Sequence, residues 1–169
     1  MRSAVAAVLV AGLAVLDARS AGADGPLPEP EGRVILTVTG AVGATNGDDT
    51  ARFDRAMLKA LDWREIETFT TWTDGPQNYA GPTLVSLLDR VDARGDTLRA
   101  VALNDYEVMI PASDAAEHGV ILAIEHEGRP MRVRNRGPVF VIYPMDESEV
   151  ADAPFDPKMV WQLETIEIR

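Results

Sequence analysis

The 169-residue chain contains no cysteine. That absence excludes disulfides, thiolate metal ligands and a cysteine nucleophile together, so packing alone has to stabilise the protein outside the cytoplasm. Histidine is nearly absent too. His118 and His126 are the only two, and two imidazoles flanking one strand do not supply the three or four converging ligands of a zinc or copper centre. His126 reads instead as a solvated side chain near a hairpin turn. Positive charge is scarce: 16 Lys and Arg against 27 Asp and Glu give a net charge of −11, which repels phosphate backbones and anionic lipid heads and argues against nucleic acid as a partner. Long apolar runs are lacking beyond residues 4–16, and that run falls short of the roughly 17 to 25 residues of a membrane-spanning helix. It follows Arg2 and precedes Ala21-Gly22-Ala23, a small-x-small cleavage pattern. These features predict a signal peptide over residues 1–23, export to the periplasm, and no membrane association after cleavage.

What is present reads as one domain. Residues 24–32, with Pro26, Pro28 and Pro30, predict a flexible leader, and residues 33–169 a single folded unit with no internal boundary. Residues 139–143 (Val-Phe-Val-Ile-Tyr) are apolar or aromatic throughout and closed by prolines, the pattern of a strand covered on both faces. Around it, residues 101–103 and 107–110 form a predicted hairpin across Asn104-Asp105-Tyr106. A second hairpin is predicted from residues 120–125 and 131–134 across Glu127-Gly128. Residues 33–39, 65–72 and 159–168 alternate like half-buried strands. Phe53, Met57, Leu58 and Leu61 recur at helical spacing, with Asp49, Thr50 or Asp54 as the cap. Leu84, Leu87, Leu88 and Val91 form a second helical stripe, with Pro82 in the first turn and Gly95 as the stop. About eight strands and two helices that do not alternate one for one predict an α+β domain with mixed or antiparallel β-sheets.

Several side-chain groupings bear on chemistry. The acidic residues 146–156 lack the Asp/Asn spacing and central Gly of a calcium loop and read as a solvated loop. Asp105 and Glu107 share a strand face, which a turn Asp beside a surface Glu explains equally well. The arginines are more informative in so acidic a chain. On a strand, Arg132, Arg134 and Arg136 share one side, and their guanidinium forks suit phosphate or carboxylate. A solvated face paired with acidic neighbours is the plainer alternative.

The order of several short motifs carries a resemblance. Ala102-Leu103-Asn104-Asp105-Tyr106, then Ile110-Pro111, Gly128-Arg129-Pro130-Met131, and Gly137-Pro138 leading to Tyr143-Pro144 resemble the oxidoreductase molybdopterin-binding domain of the sulfite-oxidase-like family, in particular its small exported members. Tyr79-Ala80-Gly81-Pro82-Thr83-Leu84 is similar to that family's aromatic-x-Gly-x-x-Leu segment, and Trp161-Gln162-Leu163 with Ile166 to its closing strand. The resemblance spans residues 34–168. It implies a sulfite-oxidase molybdopterin-domain-like fold, oxidoreductase-like activity and a molybdopterin cofactor. In the family, the strand end corresponding to residues 69–72 carries a cysteine whose thiolate binds molybdenum, and nearby loops and basic residues hold the pterin and its phosphate. Here that stretch is Phe69-Thr70-Thr71-Trp72. A bound metal would have to rely on the cofactor's own dithiolene and on solvent or threonine oxygen, a weaker donor set than thiolate.

The implied cleft comprises Thr70, Thr71, Trp72, Asn104, Asp105 and Tyr106, with Arg132, Arg134 and Arg136 at its edge and no protein metal ligand. There the rings of Trp72 and Tyr106 would stack on a ligand while a guanidinium pairs with its anionic group. Two functional classes follow. One is an exported molybdopterin-binding, redox-active domain. The other is a non-catalytic module that keeps the fold and binds an anionic small molecule or a periplasmic partner protein.

Overall fold

A computed structural model describes residues 26–152 and 154–169; the predicted signal peptide and residues 24 and 25 lie outside the described residues. The alternation seen in the sequence builds β1 (Val34–Gly40), which buries Leu36 and Val38. β2 (Ala51–Asp54) pairs antiparallel with it and leads directly into α1 (Arg55–Lys59). β3 (Trp63–Thr68) and β4 (Gln77–Pro82) form a hairpin, followed by α2 (Leu84–Arg90). β5 (Thr97–Ala102) and β6 (Glu107–Pro111) form the hairpin expected around Asn104, with Asp105 at a φ of 63°. α3 (Asp114–Glu117), β7 (Ile121–Ala123), β8 (Glu125–His126) and β9 (Arg129–Pro130) follow. The chain closes with β10 (Phe140–Ile142), α4 (Glu147–Val150) and β11 (Leu163–Ile168).

Three sheets result: β2-β1-β11-β5-β6, β3-β4-β8-β9 and the pair β10-β7. The only parallel ladder among them joins β1 to β11, so an early strand and the last one lock side by side. Residues 139–143 lie at the centre, each at 1% exposure or less, with β10 paired to β7 and Val141 N–H bonded to the Val160 carbonyl. The fold is therefore α+β with mixed sheets and short helices, as the patterning indicates.

Several boundaries move for physical reasons. Phe53 lies on β2, not on a helix, because it pairs with Leu36 and is buried at 1% exposure. α1 starts after it, and Asp54 is its cap, accepting from Met57 N–H at 2.9 Å and from Gly32 N–H at 2.7 Å. Pro82 ends β4, and Thr83 caps α2 through Ser86 N–H. α2 stops before Gly95, where Asp92 takes the left-handed turn at φ 48°. The residues read as an acidic loop include α4, closed by a reciprocal cap between Asp146 and Glu149. β11 begins only at Leu163, since Gln162 at φ 53° breaks the extended run that the sequence suggests from residue 159.

The second predicted hairpin is much shorter than expected. Glu127 and Gly128, at φ 49° and 67°, turn β8 into β9, after which the chain leaves the sheet and coils into a 3-10 turn, Val133–Asn135. Arg132, Arg134 and Arg136 therefore do not share a strand face. The described part of the leader is fastened down: Leu27 is buried, the Pro26 carbonyl accepts from Arg90, and the Pro28 carbonyl accepts from Asn46 at 2.6 Å. No helix among the described residues is long and apolar enough to cross a membrane.

Candidate functional site

The 3-10 turn positions the basic residues. Arg136 takes a left-handed φ of 63° at its end, an uncommon state for a side chain with a Cβ. Gln162 holds it there: its N–H bonds the Arg136 carbonyl at 2.8 Å, and its amide donates to the Val133 carbonyl at 2.8 Å. Gly137 follows because a Cβ there would lie 2.7 Å from the Met131 carbonyl carbon, too close for any other residue. Held this way, the Arg136 guanidinium sits 5.0 Å from the centre of the Trp161 ring and donates to the Trp72 carbonyl at 3.3 Å.

An open cleft of about 600 Å³ lies here, lined by Asn104, His126, Arg134, Arg136, Trp161 and Gln162 among others. Trp161 is 36% exposed and forms its aromatic wall; Trp72 lies against it at 5.5 Å, and Phe140 lies 6.3 Å from Trp72. Arg134 is exposed with no bonded or ion-pair partner among the described residues, and no carboxylate pairs with Arg136. Beneath them the Tyr79 phenol is buried, which raises its pKa, while the nearby Arg136 charge opposes that shift. The basic, ring-walled face is thus built at one point on a strongly acidic chain.

Of the residues expected at the site, Asn104, Arg134 and Arg136 come together, and Trp72 backs the cleft through Trp161. The others go elsewhere. Thr70 is buried and shares a 2.8 Å hydroxyl bond with Thr73; Thr71 donates to Asp156 at 2.7 Å. Asp105 stands at the exposed tip of the β5–β6 turn. Tyr106 donates its hydroxyl to the Pro157 carbonyl at 2.8 Å and makes no ring contact with Trp72, so the expected pair of stacking rings is replaced by Trp72 and Trp161. Arg132 lines a separate, larger cavity of about 960 Å³ with Arg33 and Arg55. His126, Trp161 and Gln162 were missed. His126 is not merely solvated: it stacks on Tyr79 at 4.7 Å and bonds Gln77 at 3.0 Å.

A buried charge cluster holds the neighbouring segment. Asp114 accepts from Tyr143 and from Lys158, both at 2.7 Å. Burial works against the carboxylate charge, but the Lys158 and Tyr143 bonds outweigh it and hold its pKa below the usual value. The Tyr143 hydroxyl is pushed up, first by burial and then by that carboxylate. Lys158 thereby fixes the turn Asp156–Lys158, whose Asp156 carboxylate accepts from Thr71 and whose Pro157 carbonyl accepts from Tyr106. Among the described residues, no three His, Asp or Glu side chains converge as metal ligands.

With this geometry in place, the class of fold is plain: an α+β domain of mixed sheets, similar in path to a sulfite-oxidase-family protein. One solved structure it matches is the sulfane dehydrogenase SoxCD from Paracoccus pantotrophus, at a TM-score of 0.59 and 18% identity over 79% of this chain. The match covers 37% of that chain, so this protein spans little more than a third of its length. The likeness is one of fold. No family model matches the chain, and no curated protein matches it in sequence.

Proposed function

We propose that this protein is an exported domain of oxidoreductase-like fold that binds an anionic, ring-bearing small molecule in the cleft of Arg134, Arg136 and Trp161. One observation carries the reading: in a chain of net charge −11, two guanidiniums without carboxylate partners among the described residues border an exposed indole. Arginine left unpaired beside an aromatic face suits a planar ligand bearing phosphate or carboxylate, through a forked hydrogen bond and ring stacking.

Molybdopterin is the ligand implied by the motif resemblance, and its two parts fare differently. A pterin ring and its phosphate match the indole and the guanidiniums. The molybdenum does not match the donor set, because the strand end offers threonine rather than thiolate, Thr70 is buried with its hydroxyl bonded to Thr73, and Thr71 is bonded to Asp156. The chain's own residues thus bind and orient an anion, and no redox step is assigned to them. Leu103 at 44% and Val133 at 45% exposure, bridged by Gln162 beside Trp161, favour a periplasmic partner protein as the second reading.

The test is calorimetric titration with a pterin monophosphate. Binding weakened about tenfold or more in Arg134→Ala, as expected for loss of a charge-assisted pair worth ~1.5–3 kcal/mol, supports the cleft. Binding that is absent, or unchanged in both Arg134→Ala and Arg136→Ala, overturns it. Molybdenum analysis of protein exported from a cofactor-producing host, with Thr70→Cys and Thr71→Cys beside it, tests the metal directly.

A further inference from the structure

His126 lines the same cleft, and its surroundings fix which nitrogen carries a proton. Gln77 donates its amide N–H groups to the Asp74 and Pro76 carbonyls at 3.4 and 3.0 Å, which leaves its Oε1 facing the ring. His126 Nε2, 3.0 Å from that oxygen, must therefore be the donor. Stacking on Tyr79, its cross-strand partner, holds the ring at an interplanar angle of 20°. Nδ1 has no partner among the described residues. With Nε2–H committed to Gln77, Nδ1 is the ring nitrogen left to a ligand.

The charged groups around the ring leave the cleft side basic. On β8 itself, Glu125 is paired with Lys59 at 2.5 Å, and in the turn after it Glu127 accepts from Asn78 N–H at 2.8 Å. Arg129 on β9 stands opposite His126 in the ladder. The buried Tyr79 phenol lies beneath it on β4, and Arg134 and Arg136 border the cleft from the 3-10 turn.

We propose that His126 is the proton-dependent contact of this cleft: protonated at Nδ1, it adds a third positive charge and an N–H donor to Arg134 and Arg136, so planar anions bind more tightly as pH falls. Unprotonated, Nδ1 is an acceptor only and offers an anion no donor. The proton comes from solvent, and the only bond formed is Nδ1–H. Histidine is the side chain whose charge changes in the range of about pH 5 to 8. This inference rests on the anion-binding reading above.

The experiment uses 2-naphthalenesulfonate, a planar anion whose own charge is constant across that range, titrated between about pH 5.5 and 8 against the full chain and His126→Gln. Affinity of the native protein is expected to rise about tenfold on acidification, the equivalent of one unit of coupling between proton and ligand, while His126→Gln binds with little dependence on pH. Calorimetry of the native protein in two buffers of different ionisation enthalpy should show proton uptake on binding near neutral pH, which needs no variant. Binding without proton uptake, or the same pH dependence in native protein and His126→Gln, overturns the role of His126 and leaves the cleft standing. No binding at any pH removes the anion-binding reading and this inference with it.

Discussion

Asp114 shows how one buried charge organises a region far larger than itself. Its carboxylate is 5% exposed as a residue and bonds both Tyr143 and Lys158. Replacing it with alanine leaves the Lys158 ammonium without a counter-charge, and such a half-broken pair costs about 3 to 5 kcal/mol. Tyr143→Phe removes one donor to that carboxylate and is expected to cost less, about 1.5 to 3 kcal/mol. Urea unfolding of the two variants checks the ordering. The pH dependence follows in sign. Asp54, held down first by the Met57 N–H, and Asp114 both titrate below their unfolded values near about 3.9. Their stabilisation is complete above the unfolded value and is lost as pH falls through the folded one. Thermal melting should therefore hold steady from neutral pH to about pH 5 and drop below about pH 4; a midpoint constant down to pH 2 would contradict it.

Among the elements, β10 is both the most legible in the sequence and the most sheltered in the fold. Val141 and Ile142 are at 1% and 0% exposure between β7 and the segment around Val160. Truncating either to alanine is expected to cost about 2 to 4 kcal/mol through lost burial and the cavity left behind. A loss below about 0.5 kcal/mol at both sites in chemical denaturation would show the strand to be loosely packed. Other elements were less legible for definite reasons. Phe53 has helical spacing with Met57, but its ladder position opposite Leu36 decides its state. The arginine run has the period of a strand. What ends the strand is the hold of Gln162 on the far side of the chain.

For the molecule as a whole, the parallel ladder of β1 with β11 matters most. β11 lies between β1 and β5 in the five-stranded sheet, so deleting residues 163–169 breaks two ladders and uncovers the apolar core against which Leu163, Ile166 and Ile168 are buried. The shortened chain is expected to lose its cooperative melting transition, read by circular dichroism. A sharp transition at an unchanged midpoint would show the sheet to be independent of its last strand.

The sequence by itself determined the class of the fold, the two-faced burial of residues 139–143 and the β5–β6 turn, because apolar periodicity and Asn-Asp turn chemistry act over a few neighbouring residues. It also marked Arg134 and Arg136, since cations stand out in a chain this acidic, and Asn104 through the motif at residues 102–106. Only the tertiary structure decided that these residues meet Trp161 and His126, that Thr70 and Thr71 are bonded to Thr73 and Asp156, and that Arg132 lies in a different cavity. The physical reason is the same in each case. A side chain's partners across the fold, such as Gln162 for Arg136 and Tyr79 for His126, depend on strand pairing and on left-handed turns imposed from outside the segment, and local patterning carries no record of either.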